Sequence, residues 1–370
     1  MSEPTASSVA PQGRPFSVLR SPFSGGEAAT LHAFIMAGGR GERFWPLSTY
    51  ARPKQFCTLF GGKPLIAQAV DRLAGLVPQA NIHVITSADL VPATRDALPG
   101  LPAANVIGEP IGRDTAAAVA LACGTVARQD PQGVALILPA DPLIADEAAF
   151  RDALALAAAQ AAREPVIATV GIAPTYPATG YGYIECADEA APGVRRVRRF
   201  VEKPDRPTAE RYLATGAFVW NAGIFVWRAD TMAAAFRAHA PQWLPLIDNP
   251  TDLDTLYPTL PKLSVDYAIM EKSDNLVVVR GDFGWDDVGT LPALARQFPA
   301  DPQGNVAIAP TYALDATGNI VAAEGDPRAT ALLGVNGLIV IHTPKATLVC
   351  AQDAAQDLKR LVATLPPHLR

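Results

Sequence analysis

His32-Ala33-Phe34-Ile35-Met36-Ala37-Gly38-Gly39-Arg40-Gly41-Glu42-Arg43-Phe44-Trp45-Pro46-Leu47-Ser48 is the stretch on which the reading of this chain turns, and Arg52-Pro53-Lys54-Gln55-Phe56 closes it. The apolar run His32–Ala37 has the length and composition of a short buried strand, and it breaks at once into glycines followed by fixed cations. Such a loop exposes bare backbone N–H groups to a polyanion while the cations neutralise it. It suits chemistry on a nucleoside triphosphate. It is not a Walker A loop, because no Gly-Lys-Ser or Gly-Lys-Thr follows and Pro46 would interrupt a helix starting there. It is not the dinucleotide fingerprint, since Gly38, Gly39 and Gly41 do not fit G-x-G-x-x-G and no helix pattern follows directly. Taken alone, the glycines also fit a plain structural turn.

Working outward, apolar strand patterns alternate with helical ones from Leu31 onward. Strands are expected at Ala33–Ala37, Ile82–Thr86, Asn105–Ile107 and Val134–Leu138, with helices around Leu65–Leu76, Ala88–Ala97, Thr115–Arg128 and Glu147–Arg163. The alternation predicts an α/β fold with a mainly parallel, Rossmann-like sheet covered by helices. Ligands in such sheets bind beyond the carboxyl ends of the strands, where both Gly38 and Asp141 fall. Beyond Val166 strands dominate: Val166–Gly171, Tyr181–Cys186, Val194–Glu202 and Phe218–Trp227. Arg195, Arg196, Arg198 and Arg199 alternate with valines as on a half-exposed strand, not as a nucleic-acid patch. After Pro299 short strands punctuated by Gly and Asn follow, and Gln352–Leu365 returns to a helical pattern.

The 370 residues are 49% hydrophobic with a net charge of −5, enough for two domains and unlike the basic face of a nucleic-acid binder. No apolar run approaches the roughly 20 residues of a membrane helix. Cys57, Cys123, Cys186 and Cys350 lack C-x-x-C spacing, and the histidines do not cluster, which argues for reduced thiols in a cytoplasmic protein. Met1–Thr30, rich in Ser, Pro, Gly and Ala, reads as a disordered extension without a secretory signal. The expected division is 1–30 extension, 31–299 catalytic domain and 300–370 β-rich domain ending in a helix.

As a whole, Gly38 to Phe56 resembles the signature of the sugar-nucleotide pyrophosphorylases. Its Gly-Glu-Arg-Phe-Trp-Pro-Leu-Ser wording is similar to the mannose-1-phosphate guanylyltransferase branch. The resemblance recurs in separated motifs from about Leu31 to Leu365. It implies transfer of GMP from GTP to mannose 1-phosphate, with GDP-mannose and pyrophosphate as products and Mg²⁺ as cofactor. It further implies a small left-handed β-helix at the C-terminus, often used in self-association, hence a possible homodimer. Some members add a phosphomannose isomerase domain, an activity not expected here. A different sugar 1-phosphate, another nucleotide, or a non-catalytic GDP-mannose-binding regulator are the competing readings.

This reaction is an in-line attack of a phosphate oxygen on the α-phosphorus. The monoester is already mostly dianionic at neutral pH, with a second pKa of about 6, so no general base is required. Cations and metal-binding carboxylates should dominate the site. By resemblance, Arg43 and Lys54 contact the triphosphate, where an arginine forks onto phosphate oxygens and a lysine acts as a point charge. Gly38, Gly39 and Gly41 line it. Leu136–Asp141 ends a strand in a carboxylate and Phe283-Gly284-Trp285-Asp286-Asp287-Val288-Gly289-Thr290 places two on a glycine-flanked turn. The resemblance selects Asp141 and Asp287 as Mg²⁺ ligands, which suits an ion that takes few carboxylates and keeps waters and phosphate oxygens. Asp286 is then expected to face solvent or to stand behind the ligands.

Glu109, Pro110, Asp114 and Thr115, within Glu109–Thr115, match the segment beside the guanine and triphosphate; Asp114 equally suits a helix cap. Gly180, Glu202, Lys203 and Asn221 match the sugar-phosphate half, with Lys203 on the phosphate and the others on hydroxyls. Ser264–Glu271 also matches, without an assigned role. Asp114 stands where Asn is usual, Ala117 where Pro is usual, and Pro142 where His commonly follows the metal-binding Asp.

Overall fold

The computed structural model describes residues 29–326 and 328–370, so the expected disordered extension lies outside the described residues except for Ala29 and Thr30. The N-terminal elements are β1 (Leu31–Met36), α1 (Leu65–Asp71), β2 (Ile82–Ser87), α2 (Val91–Ala97), β3 (Val106–Glu109), α3 (Thr115–Gln129), β4 (Val134–Pro139), β5 (Leu143–Ile144) and α4 (Glu147–Arg163). They continue with β6 (Ile167–Ile172), β7 (Tyr183–Ala191), β8 (Val194–Val201), α5 (Arg206–Thr215), β9 (Phe218–Arg228), α6 (Ala229–His239), β10 (Leu276–Gly281) and β11 (Trp285–Asp286). One nine-stranded sheet has the order β3-β2-β1-β4-β9-β6-β10-β8-β7. Following the pairings outward from β1, strands β2, β3, β4, β6, β7 and β10 run with it, while β8 and β9 run against it. The sheet is therefore mainly parallel.

Period-2 alternation divides each central strand between two cores. Ala33, Ile35, Val84 and Leu136 pack on the α4 side with Leu154, whereas Phe34, Ile85, Ala135 and Ile137 pack on α3. Each fully buried Ile or Phe contributes about 1.5–3 kcal/mol. In α3 the run Ala116–Ala122 is buried on all sides, and a Cβ on Gly124 would stand 2.4 Å from the Ile247 carbonyl oxygen. Small residues thus set how closely this helix packs. Asp146 caps α4 by accepting from the Ala148 and Ala149 N–H groups at 3.0 Å each.

Two departures from the sequence reading affect the architecture. The helix expected over Leu65–Leu76 ends at Asp71, where tight turns lead to Gly75 at φ 81°. Strand β10 and helices α5 and α6, absent from the sequence reading, complete the sheet and its cover. Asp286, expected to face solvent or to stand behind the metal ligands, is clamped by Arg296 at 2.7 Å and Gln297 at 2.8 Å.

The C-terminal strands are β12 (Val306–Ala307), β13 (Thr311–Leu314), β14 (Ile320–Ala323), β15 (Thr330–Leu333), β16 (Leu338–His342) and β17 (Thr347–Ala351). Parallel pairs β12–β14, β14–β16 and β13–β15 stack successive coils in register, and the antiparallel β17 closes the stack. A buried ladder joins the coils: Asn319 donates to Asn305 Oδ1 at 2.9 Å, and Asn305 donates to the Ala316 carbonyl at 2.9 Å. These amides satisfy the turn backbone that a narrow β-helix otherwise leaves unpaired. Among the described residues no helix is long and apolar enough to cross a membrane.

Two histidines in this sheet have a consequence for stability. His83 on β2 pairs in register with Phe34 and stacks on it at 4.7 Å, and both ring nitrogens of His32 are buried without a partner. Burial pulls both imidazoles below their ordinary value of 6.5; for His83, with His32 adding to the effect, the value falls to about 4. The unfolded chain protonates near 6.5 and the folded chain resists, so this stability is complete above that pH and is lost as pH falls towards 4. At about 1.4 kcal/mol per unit the His83 share is about 3 kcal/mol. Urea titrations of wild type and His83→Gln between pH 7 and 4 are expected to show a shallower loss in the variant; parallel curves would refute the assignment.

Candidate active site

At the carboxyl end of β1 the Ala37 carbonyl accepts from Gln55 Nε2 at 2.7 Å and Thr86 Oγ1 at 3.1 Å, which ties the returning half of the glycine loop to the strand. Gly41 sits at φ 64°, and a Cβ there would meet Lys54 Cβ at 2.7 Å and the Lys54 nitrogen at 3.1 Å. Only glycine suits both the left-handed conformation and this approach. Lys54 is consequently buried, 4% exposed, with its ammonium 3.0 Å from Asp141 Oδ2 and donating also to the Asp287 carbonyl.

The sheet explains why two remote aspartates meet. Asp141 follows the end of β4, the neighbour of β1, and the Ala140 N–H donates to the Met36 carbonyl at 3.1 Å. The short β5 pairs with β11, with Leu143 opposite Asp286, so residue 287 is carried to residue 141. A Cβ on Gly289 would stand 2.5 Å from Asp287 Oδ2, so glycine leaves room for that carboxylate. Val288 between them has φ 42°, a genuine outlier for a β-branched residue, and Asp286 Oδ1 holds its N–H at 2.8 Å. Asp114 at φ 65° and Lys203 at φ 44° are two more non-glycine residues in this region, and strain of this kind gathers at ligand sites.

A cavity of about 260 Å³ opens beside the aspartates. Asp141, Pro142, Asp287, Gly180, Glu202, Lys203 and Asn221 line it, together with Thr115 at the start of α3. The sugar-phosphate residues named from the sequence therefore share one chamber with the proposed metal ligands. Lys203 donates to Glu202; burial opposes its charge, but that bond and the carboxylates of Glu202 and Asp266 raise its pKa.

Of the residues expected on the nucleotide side, Thr115 lines this chamber, whereas Gly38, Gly39, Gly41, Glu109, Pro110 and Asp114 do not. Glu109 ends β3, 9% exposed, accepts from the Tyr257 hydroxyl at 3.1 Å, and would touch a Cβ on Gly38 at 3.4 Å. Burial raises its pKa to about 7, against the Tyr257 bond and with Asp114 assisting. Pro110 is exposed, a Cβ on Gly39 would meet nothing, and Asp114 caps α3 through the Thr115 N–H at 2.8 Å. Thr115 Oγ1 accepts from the Val265 N–H at 2.9 Å. Arg43 is exposed on the turn Glu42–Phe44, with no hydrogen bond or ion pair among the described residues.

The donor set fits a hard cation. The Lys54 ammonium joins the Asp141 carboxylate to the Asp287 backbone carbonyl, so two aspartates from distant segments are neighbours, and no group of three or more His, Cys, Asp or Glu with metal-holding geometry occurs among the described residues. Mg²⁺ with waters and phosphate oxygens needs no more than two such carboxylates.

Comparison with known proteins supplies the family. The nucleotidyl transferase profile matches residues 32–304, and that of the mannose-phosphate isomerase/GMP-like β-helix domain matches 311–365. The chain belongs to the nucleotidyl transferase family. A mannose-1-phosphate guanylyltransferase of Klebsiella pneumoniae is 37% identical over 91% of this chain and 74% of its own length. The xanthan biosynthesis protein XanB of Xanthomonas campestris is 36% identical over 90% and 72%. A solved structure from Thermus thermophilus, described as mannose-1-phosphate geranyltransferase, superposes with TM-score 0.82 at 37% identity, covering 90% of this chain and 98% of that one.

In this nucleotidyl transferase several cavity residues lie in segments the sequence reading marked, such as Tyr176–Glu185 and Ser264–Glu271, but received no role of their own there. Tyr181 donates to Asp287 Oδ1 and lies 3.1 Å from the Tyr176 hydroxyl, in an aromatic cluster with Trp220 and Trp285. Gly182, not Gly180, makes room for Glu202: a Cβ on Gly182 would stand 2.6 Å from Glu202 Oε2, and one on Gly180 would meet nothing. Asp266 faces the chamber from Ser264–Glu271. The β-helix braces the glycine loop, with Glu324 accepting from Arg52 at 2.5 Å and Thr58 at 2.9 Å, and Trp45 Nε1 donating to the Leu369 carbonyl at 2.7 Å.

Proposed function

We propose that this nucleotidyl transferase moves GMP from GTP to mannose 1-phosphate, giving GDP-mannose and pyrophosphate. The observation that carries the reading is the buried Lys54 ammonium bonded to the Asp141 carboxylate and the Asp287 carbonyl, two residues that line one chamber together with an amide, a carboxylate and a second lysine. The names of the relatives from Klebsiella pneumoniae and Escherichia coli support the substrate pair. A sugar-phosphate oxygen attacks the α-phosphorus, the α–β bridging bond breaks, and pyrophosphate leaves. In this reading Lys54 and Arg43 neutralise the triphosphate, Gly38, Gly39 and Gly41 give it backbone N–H groups, and Glu109, Pro110, Asp114 and Thr115 border the guanine and phosphates. Lys203 takes the sugar phosphate, and Glu202, Asn221 and Gly180 the hydroxyls. Asp141 and Asp287 would hold Mg²⁺, which when bound neutralises phosphate oxygens.

The catalytic domain spans 31–299 and the β-helix 300–370. Its exposed Tyr312, Leu314 and Leu333, at 71, 64 and 70%, support self-association through β13 and β15. Pyrophosphate release from purified protein with Mg²⁺ tests the reading, using GTP, ATP and dTTP against mannose and glucose 1-phosphates. GTP with mannose 1-phosphate is expected to lead; preference for dTTP or glucose 1-phosphate, or no release at all, would overturn it.

A further inference from the structure

Asp266 belongs to a segment, Asp266–Met270, wound as a single π-helical turn. Such turns carry an extra residue at a cost in backbone geometry and recur at functional sites. Its carboxylate reaches into the chamber and accepts from Asn221 Nδ2 at 3.1 Å, while Asn221 Oδ1 accepts from the Gly223 N–H at 3.0 Å. The Asn221 amide is therefore fixed in one of its two orientations, with one N–H and one lone pair left for a ligand. The same segment reaches Lys203 by a second route, since Glu271 Oε1 accepts from the Glu202 N–H at 3.3 Å, next to the strained backbone of Lys203. Ser264–Glu271 thus touches both elements of the sugar wall, β9 through Asn221 and the end of β8 through Glu202.

We propose that Asp266 is a positioning residue for the sugar phosphate: it orients the Asn221 amide, and the segment that carries it holds the Glu202 backbone beside Lys203. This inference rests on the reading of that chamber as the sugar-phosphate site. The Glu202 carboxylate holds the Lys203 ammonium, and an anion that draws Lys203 away from it frees the Glu202 oxygens for hydroxyls. Burial, assisted by Glu202, lifts the Asp266 carboxyl to about 6, and the Lys203 charge opposes the rise.

The test uses the full chain with whichever sugar 1-phosphate the wild type turns over, so failure of the mannose assignment leaves it intact. Asp266→Asn keeps the side-chain shape but lets both amides flip, and its KM for the sugar phosphate is expected to rise about ten- to hundredfold while KM for the nucleoside triphosphate stays within about twofold. Titration calorimetry with the sugar 1-phosphate alone should show the same loss, and Asp266→Glu should recover part of it. A purely structural role would lower the melting temperature and move both KM values together, which overturns the proposal. Unchanged sugar-phosphate affinity in Asp266→Asn overturns it equally.

Discussion

Replacing Lys54 by methionine is expected to lower kcat/KM by about a hundred- to a thousandfold, the usual cost of one missing donor to transition-state charge. The stem of Lys54 fills the space beside Gly41, and methionine preserves that packing. What it removes is the ammonium shared by Asp141 Oδ2 and the Asp287 carbonyl. Because Lys54 is buried, the charge cannot be replaced by a neighbouring solvated side chain. Lys54→Arg is expected to recover little, since a longer planar fork cannot occupy the buried point at which the ammonium meets both Asp141 Oδ2 and the Asp287 carbonyl. Steady-state kinetics on folded variants check this, and a Lys54→Met enzyme within about tenfold of wild type would remove Lys54 from the catalytic machinery.

The second large effect is expected at Asp287. Asp287→Asn keeps an acceptor for the Tyr181 hydroxyl and the backbone carbonyl for Lys54, and it fits beside Gly289 as the aspartate does. Only the negative charge disappears. Turnover is expected to fall by about a hundredfold or more, and the Mg²⁺ concentration for half-maximal rate to rise by about tenfold or more, with the melting temperature nearly unchanged. Matching magnesium dependence in variant and wild type would show that Asp287 serves another purpose.

The parts of this account legible in sequence are those encoded locally. A continuous apolar run ending in glycines marks β1, and an apolar run ending in Asp141 marks β4, so the crevice beyond the two strand ends follows from neighbouring parallel strands. The Asp146 cap and the whole of α4 are equally local. Strand β10 carries a plain Leu276-Val277-Val278-Val279 signal that the sequence reading passes over. Other features depend on residues far apart in the chain. The Tyr181–Asp287 bond joins positions 106 residues apart, and Asp266 acquires its place from a π-turn held against β9. Neither partner announces the other. Arg43 shows the converse: its motif marks it strongly, and the structure leaves it exposed on a turn without a hydrogen bond or ion pair among the described residues.

The departures at Pro142 and Asp114 also find physical roles. The Pro142 carbonyl accepts from the buried Arg72 guanidinium at 3.2 Å, which fixes the backbone just after Asp141 without a histidine. Asp114 acts as the cap of α3, so its carboxylate is already engaged with the backbone at the start of that helix.

Binding of Mn²⁺ in the presence of GTP, followed by the loss of its free-ion paramagnetic resonance signal, tests the convergence of Asp141 and Asp287 most directly. Wild type is expected to take up the ion, each single asparagine variant to bind it at least about tenfold more weakly, and the double variant to retain only the affinity of GTP itself. A double variant that binds as wild type does would contradict the account.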